Sequence, residues 1–486
     1  MRSQLIVDIF ALGSVVALIV WADSKRRRKG PPLPPGPRSL SLVRNLFSAP
    51  QAYEWVVYRD WSRKYGADLI HLDTFGTHTI IVNSARASRE LFNKRSALYS
   101  DRPALTALRE YLGFTYMIAF MGYSPRWRAM RKGVQEYFHH QAARAFEPIE
   151  ESSVHSMLRD LIESPNNYRE HIRHMAGRII LRIAYGIDVR PRNDPFVLMA
   201  EEALHAIAVA SQIGGNLFDM IPFLQKMPSW FPGTRLRETL RGMRPISTGM
   251  FEKAWKLTAA AIEDGSASPS IAATLFTKQE TQYKSNQAIP ANLYVAGADT
   301  TVSSIQSFFL AMVLYPEVQR KAQEELDKVL EHGSRLPTFT DFGRLPYTEA
   351  LVKEVLRWHP VTPLAIAHRA ITDDVYEGWF IPEGSIVIGN TWAILHDPDV
   401  FPDPEIFRPE HFLIPEQGGT LPPNAPAFPD AAFGFGRRIC PGRHMARSSI
   451  WIAVASILAS FDIGPVKDKQ GRPIPVKEEY TSGIVS

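Results

Sequence analysis

Phe433-Gly434-Phe435-Gly436-Arg437-Arg438-Ile439-Cys440-Pro441-Gly442 holds the one cysteine in a chain of 486 residues. A lone cysteine is ordinarily a small buried hydrophobe. Its flanks argue otherwise. Gly436 and Gly442 allow tight turns and close backbone approach to a bulky group. Arg438 is a permanent cation suited to a carboxylate. A thiolate in such a loop is a strong, soft ligand for a haem iron.

The rest of the chain is consistent with a large globular body. Apolar residues make up 45% and charged residues 22%, enough for a sizeable core. The run Lys25-Arg26-Arg27-Arg28-Lys29 accounts for the whole formal charge of +5. Basicity confined to one short run argues against a nucleic-acid surface. One cysteine permits no internal disulfide, which suits a reducing compartment. Leu5 to Ala22 is nearly all apolar, and the basic run follows it at once. That order predicts an uncleaved transmembrane anchor with the bulk of the chain in the cytosol, rather than a signal peptide. Pro31 to Pro37 then reads as a stiff, extended spacer. The expected organisation is an anchor at 1–24, a basic and Pro-rich linker at 25–40, and one large domain at 41–486.

The coarse texture is mainly α with small β-sheets. Gln51 to Tyr65 reads as a helix. Asp68 to Leu72 and Thr77 to Val82 read as a hairpin around Phe75-Gly76. Helices dominate from Ala85 to about Leu330, with breaks at 164–167, 190–192, 228–233 and 264–269. Short strands follow from Tyr376 to Ile388, then an irregular stretch from His396 to Phe433, then a helix from Arg443 to Phe461.

Three further stretches bear chemistry. Ala296-Gly297-Ala298-Asp299-Thr300-Thr301 lies inside an apolar helical run from Leu293 to Leu314. Gly, Asp and Thr are weak helix formers, so their clustering predicts a local opening that something uses. The alternative is a helix start capped by Asp299 or Thr300. Glu354 and Arg357 share a helix face at i and i+3 and can pair. As an exposed pair they would be worth only about 0–1 kcal/mol, but Phe407 to Phe412 could fold against them. Trp127 and Arg131, at i and i+4, can both donate to a carboxylate; the alternative is an ordinary amphipathic helix with a buried Trp.

Together these stretches resemble the cytochrome P450 family. Phe433, Gly436, Arg438, Cys440 and Gly442 match the pattern Phe-x-x-Gly-x-Arg-x-Cys-x-Gly. Ala296-Gly297-x-Asp299-Thr300-Thr301 matches the acid–alcohol helix, Glu354 and Arg357 the Glu-x-x-Arg pair, and Trp127 and Arg131 the Trp-x-x-x-Arg helix. The motifs stand in family order over nearly the whole chain, and the texture is similar to fungal microsomal members. The resemblance implies the P450 fold with haem b as cofactor and Cys440 as its thiolate ligand. It makes Asp299 and Thr300 proton donors, and puts Trp127, Arg131, Arg438, His368 and Arg369 on the propionates. Glu354, Arg357 and His411 become the structural lock behind the haem. It implies O2- and NADPH-dependent hydroxylation, with NADPH–cytochrome P450 reductase and cytochrome b5 as partners, at the endoplasmic reticulum membrane. Members that isomerise or dehydrate without O2 often lose the acid–alcohol pair, which is intact here. A haem sensor or a degenerate scaffold is the non-enzyme alternative.

Two departures stand out. His411 occupies a place where the family often has Arg, with Arg408 a second contributor to the network. Pro290 falls where the long helix should already be running, implying a start or a kink there, since Pro inside a helix costs about 3 kcal/mol. By the same resemblance, substrate would face 104–123, 204–215, the Ala296 turn, 361–367 and 480–483. Their largely apolar residues include Leu105, Leu108, Leu112, Phe114, Met117, Phe120, Ile207, Val209, Ile213, Val361, Leu364 and Ile366. These either favour a lipophilic substrate, such as a terpenoid or polyketide, or are plain core.

Overall fold

The computed structural model describes residues 30–37, 50, 52–74, 76–211, 218–219, 222–228, 234–277, 283–415, 428–483 and 485. The apolar and basic runs of the N-terminus lie outside the described residues. Among the described residues no helix is long and apolar enough to cross a membrane.

Helix α1 (Glu54–Tyr65) precedes β1 (Leu69–Thr74) and β2 (Thr77–Val82), an antiparallel pair that forms the expected hairpin, with Thr74 opposite Thr77. Six larger helices follow: α2 (Pro125–Phe138), α3 (Glu147–Glu163), α4 (Tyr168–Tyr185), α5 (Pro195–Ser211), α6 (Arg235–Glu263) and α7 (Tyr283–Gly297). After them come α8 (Thr300–Leu314), α9 (Pro316–Val329) and α10 (Pro346–Trp358). Strands β3 (His368–Arg369), β4 (Asp374–Tyr376), β5 (Trp379–Ile381) and β6 (Ile386–Gly389) precede the last helix, α11 (Arg443–Ser460). β6 pairs in parallel with β2, so the larger sheet, ordered β1-β2-β6-β3, joins the two ends of the chain.

Pattern explains the packing. On α9, Val318, Ala322 and Leu326 recur every four residues and are buried, a narrow stripe on an otherwise charged helix. On α11 every residue from Ser449 to Leu458 is buried. A helix buried all round lies inside the core, and α3, α8, α9 and α10 pack about α11.

One polar group sits at the α3–α11 seam. Glu150 is fully buried, and its Oε1 accepts from Ser448 Oγ at 2.9 Å and Ser449 Oγ at 2.6 Å. Oε2 has no partner among the described residues. Burial pushes this carboxyl up to about 8 against the two hydroxyls, with Glu147 and Glu151 adding to the rise.

One expectation needs correction, and two open alternatives are resolved. The Pro-rich stretch is docked, not a free spacer: Phe380 N donates to Pro32 O at 2.7 Å and His71 N to Pro35 O at 2.9 Å. A side chain at Gly36 would overlap the His71 carbonyl, so glycine lets this strap lie on β1. The helix does not start at Pro290; α7 begins at Tyr283 and runs through it. The opening expected in the run 293–314 is a turn at Ala298 and Asp299, after which α8 starts at Thr300.

Candidate active site

Cys440 lies in a loop held by its own backbone and by two phenylalanines. Cys440 N donates to Phe433 O at 2.8 Å and Arg438 N to Phe435 O at 3.1 Å. The Phe435 ring stacks on Phe92 with centroids 5.1 Å apart. Gly436 has φ +54, and a Cβ there would overlap the Phe92 carbonyl. Glycine is therefore required at 436 on two counts, backbone and contact. At Gly442 a Cβ would make only ordinary contact, 3.9 Å from Cys440 Sγ.

Above the loop is a cavity of about 300 Å³ lined by Cys440, Phe433, Gly434, Gly442, Thr300, Thr301, Ala296 and Gly297. Arg102, Trp127, Arg131, His368 and Arg438 also line it, and among the described residues no Asp or Glu does. Ser124 caps α2 through Trp127 N at 3.1 Å, which sets Trp127 and Arg131 on the cavity side one turn apart. Arg131 Nη2 donates to Ile439 O at 2.6 Å. Arg438 donates through Nε to Ser100 O at 2.7 Å and through Nη1 to Ile118 O at 3.1 Å. Its Nη2 is buried without a partner among the described residues. Burial pulls Arg438 down to about 10, with Asp101 opposing and Arg131 adding to the fall. His368 Nδ1 lies 2.6 Å from the Tyr99 carbonyl, and burial, then Arg102, holds its pKa well below the usual range. The neutral ring then donates from Nδ1.

Cations at a cavity wall that carries no carboxylate among the described residues, one with an unspent donor, need an anionic occupant. A haem, with two carboxylates and an iron seeking a thiolate, fits that donor set. Burial pushes the Cys440 thiol up, while the Gly442 N–H, Arg131 and Arg443 favour the thiolate.

Other site residues fall differently from expectation. Trp127 is at the cavity, but its indole N–H is already bonded to Ile118 O at 3.0 Å, and Arg438 lies 4.1 Å above its ring. Arg369 is outside the cavity: β3 alternates, so buried His368 faces in and half-exposed Arg369 faces out toward Asp101 at 4.0 Å. Arg102 takes the inner place. Its Nε donates to Ala119 O at 2.9 Å, and Nη1 bonds the Ile366 and Ala367 carbonyls. Its only sequence signal was a cation before Pro103, too common to read. Ala365, also on the wall, holds φ +51, a strained conformation for a residue with a Cβ.

Thr300 lines the cavity and its hydroxyl donates back to Ala296 O at 2.9 Å. Asp299 does not share that wall. It opens α8 without a side-chain cap bond and faces a separate cavity of about 950 Å³ that also carries Arg173 and Glu201. Burial raises the Asp299 carboxyl, with Arg173 opposing. Gly297 packs against Ile180 on α4, where a Cβ would come within 2.9 Å of its side chain. The glycine thus serves close helix packing as well as the opening. Of the expected substrate segments, Met117, Val361 and Ile366 reach the cavity, whereas Leu108, Leu112, Phe114 and Phe120 are core. Ile207, Tyr480 and Thr481 line the larger cavity instead, and Ile213 lies outside the described residues.

Behind the cavity, Glu354 and Arg357 are fully buried and paired twice, Nε to Oε2 at 2.7 Å and Nη2 to Oε1 at 2.8 Å. His411 closes the network, with Nδ1 3.1 Å from Glu354 Oε1 and Nε2 2.7 Å from Pro402 O. Both ring nitrogens thus face oxygen acceptors. Arg408 contributes its backbone N–H to Glu354 Oε1 at 2.8 Å, while its guanidinium turns to Asp403. Burial alone would raise the Glu354 carboxyl, but Arg357 and His411 hold it below the usual range.

Comparison with known proteins agrees with this arrangement. The family profile described as Cytochrome P450 matches residues 34–485. A cytochrome P450 monooxygenase of Rhodocybe pseudopiperita is 39% identical over 99% of this chain and 92% of its own length. One from Coprinopsis cinerea is 38% identical over 98% and 94%. A tryptamine 4-monooxygenase of Psilocybe cyanescens is 35% identical over 98% and 95%. With the mainly helical fold and a single cysteine at the head of a cation-lined cavity, these likenesses show that the chain belongs to the cytochrome P450 family of haem-thiolate monooxygenases.

Proposed function

We propose that this monooxygenase hydroxylates an unactivated C–H bond of a lipophilic secondary metabolite, a terpenoid or polyketide. O2 is the oxidant, and electrons come from NADPH through NADPH–cytochrome P450 reductase, with cytochrome b5 as a second donor. Residues 1–24 anchor it in the endoplasmic reticulum membrane, 25–40 link, and 41–486 form the cytosolic haem domain. The observation that carries the reading is the Cys440 cavity: a thiol at its floor, Thr300 on the facing helix, apolar walls and a cationic edge. One relative is named for tryptamine, an amine. Among the described residues no Asp or Glu lines the Cys440 cavity to pair with a substrate ammonium, which favours an uncharged substrate.

Cys440 would hold the haem through its thiolate, and the haem would supply the O2-activating chemistry. The chain's own groups do the rest. Arg102, Arg131 and Arg438 would seat the propionates, with His368, its N–H spent on the Tyr99 carbonyl, packed beside them. The Thr300 hydroxyl, freed from Ala296 O, donates a proton into the cavity. Asp299, whose carboxyl burial raises against the pull of Arg173, faces the larger cavity and would relay protons from it toward Thr300. A reduced-plus-CO difference spectrum tests the haem-thiolate assignment. A thiolate-type Soret band is expected, and Cys440→Ala should abolish it; its absence from folded, haem-loaded wild-type protein overturns the reading. Co-expression with a matching reductase and untargeted metabolite profiling tests the substrate class, and a charged product would refute it.

A further inference from the structure

Asn292 stands on α7, one turn before Ala296, at the cavity wall and buried. Its amide is fully used. Oδ1 accepts from Ile118 N at 2.7 Å, and Nδ2 donates to Tyr116 O at 2.9 Å and to Ala288 O at 2.7 Å. Only one orientation of the amide meets these partners, since reversing it would set Nδ2 against the Ile118 N–H. The same loop is held from its other side. Ile118 O accepts from Trp127 Nε1 and Arg438 Nη1, and Ala119 O from Arg102 Nε.

Ile118 is therefore pinned at both of its backbone groups, by α7 on one side and by the haem-facing cations on the other. Between the pins, Met117, Ile118 and Ala119 form part of the cavity wall. This segment has no long helix or strand of its own to satisfy its backbone, so the pins substitute for one. We propose that Asn292 is a positioning residue that fixes the 116–118 segment against the cavity and so sets which ligand shapes the enzyme accepts. The inference rests on the haem-thiolate reading of the Cys440 cavity.

The test uses haem-loaded, full-length protein and two iron-binding probes, imidazole and the bulkier 4-phenylimidazole. Asn292→Leu removes every bond; Asn292→Asp keeps the acceptor for Ile118 N but loses both donors. With the CO band intact, imidazole affinity should hold within about twofold, because that ligand does not reach the wall. The 4-phenylimidazole Kd should weaken by about fivefold or more in Asn292→Leu and by less in Asn292→Asp. Amide exchange in peptides covering 112–123 should quicken by about tenfold in Asn292→Leu. Equal shifts for both probes, or no shift with unchanged exchange, overturn the proposal. If Asn292→Leu does not fold, Asn292→Asp must still move both readouts, and its failure to do so overturns the proposal as well. A wild-type protein that binds haem without the thiolate band would instead overturn the underlying reading.

Discussion

Replacing Glu150 with glutamine should stabilise the protein at pH 8 and do little at pH 5. The carboxyl is fully buried, its Oε1 holds two serine hydroxyls, and its pKa is pushed from 4.5 up to about 8. In the native state it keeps a proton that the unfolded chain releases. Its contribution is therefore full below pH 4.5 and is lost as pH rises toward about 8. At about 1.4 kcal/mol per pH unit, that window spans roughly 4–5 kcal/mol. Glutamine keeps an acceptor for Ser448 and Ser449 but does not titrate. Urea unfolding followed by circular dichroism at the two pH values gives the measurement. The gain from Glu150→Gln at pH 8 should exceed that at pH 5 by about 3 kcal/mol, allowing for relaxation around the charge. Parallel stability–pH curves for the two proteins would refute the assignment of Glu150 as a proton-holding buried acid.

Other perturbations separate seating, locking and proton delivery. Gly436→Ala forces a Cβ into the Phe92 carbonyl at φ +54; a loss above about 3 kcal/mol and of the CO band is expected, read by urea midpoint and spectrum. Glu354→Ala strands the buried Arg357 guanidinium and should cost about 3–5 kcal/mol by the same unfolding assay. Arg438→Ala should speed haem transfer to apomyoglobin by about tenfold or more, whereas Arg369→Ala, outside the cavity, should stay within about twofold. Thr300→Ala should keep the CO band but divert NADPH electrons to peroxide, measured as hydrogen peroxide formed per NADPH; full coupling would refute its role in proton delivery.

What could be read from sequence followed from how local each signal was. The Cys440 loop carries its own turn chemistry and its ligand within ten residues, so it was legible. The pair Glu354–Arg357 needed only helix spacing, but its third partner, His411, was placed by an irregular segment with no period to follow. Arg102 and Arg369 show the limit most clearly. Both are arginines in short extended stretches, and only the pleat of β3 and the path of the loop decide which one faces inward. The split between Thr300 and Asp299 was equally hidden, because adjacent residues at a helix break can face different cavities. Apolar residues in the proposed substrate segments divided between wall and core, since hydrophobicity alone does not distinguish a lining from a packed interior.

The surplus of buried guanidinium groups around the cavity also bears on how long the polypeptide survives in a cell. Burial and mutual repulsion strain Arg102, Arg131 and Arg438 until a dianion arrives. A ligand present at a thousandfold excess over its Kd stabilises the native state by about 4 kcal/mol. Chains synthesised while haem is scarce would lack that margin and spend more time open to chaperones and proteases. Enzyme abundance would then follow iron and porphyrin supply as well as gene expression, with the seat of the prosthetic group acting as the gauge.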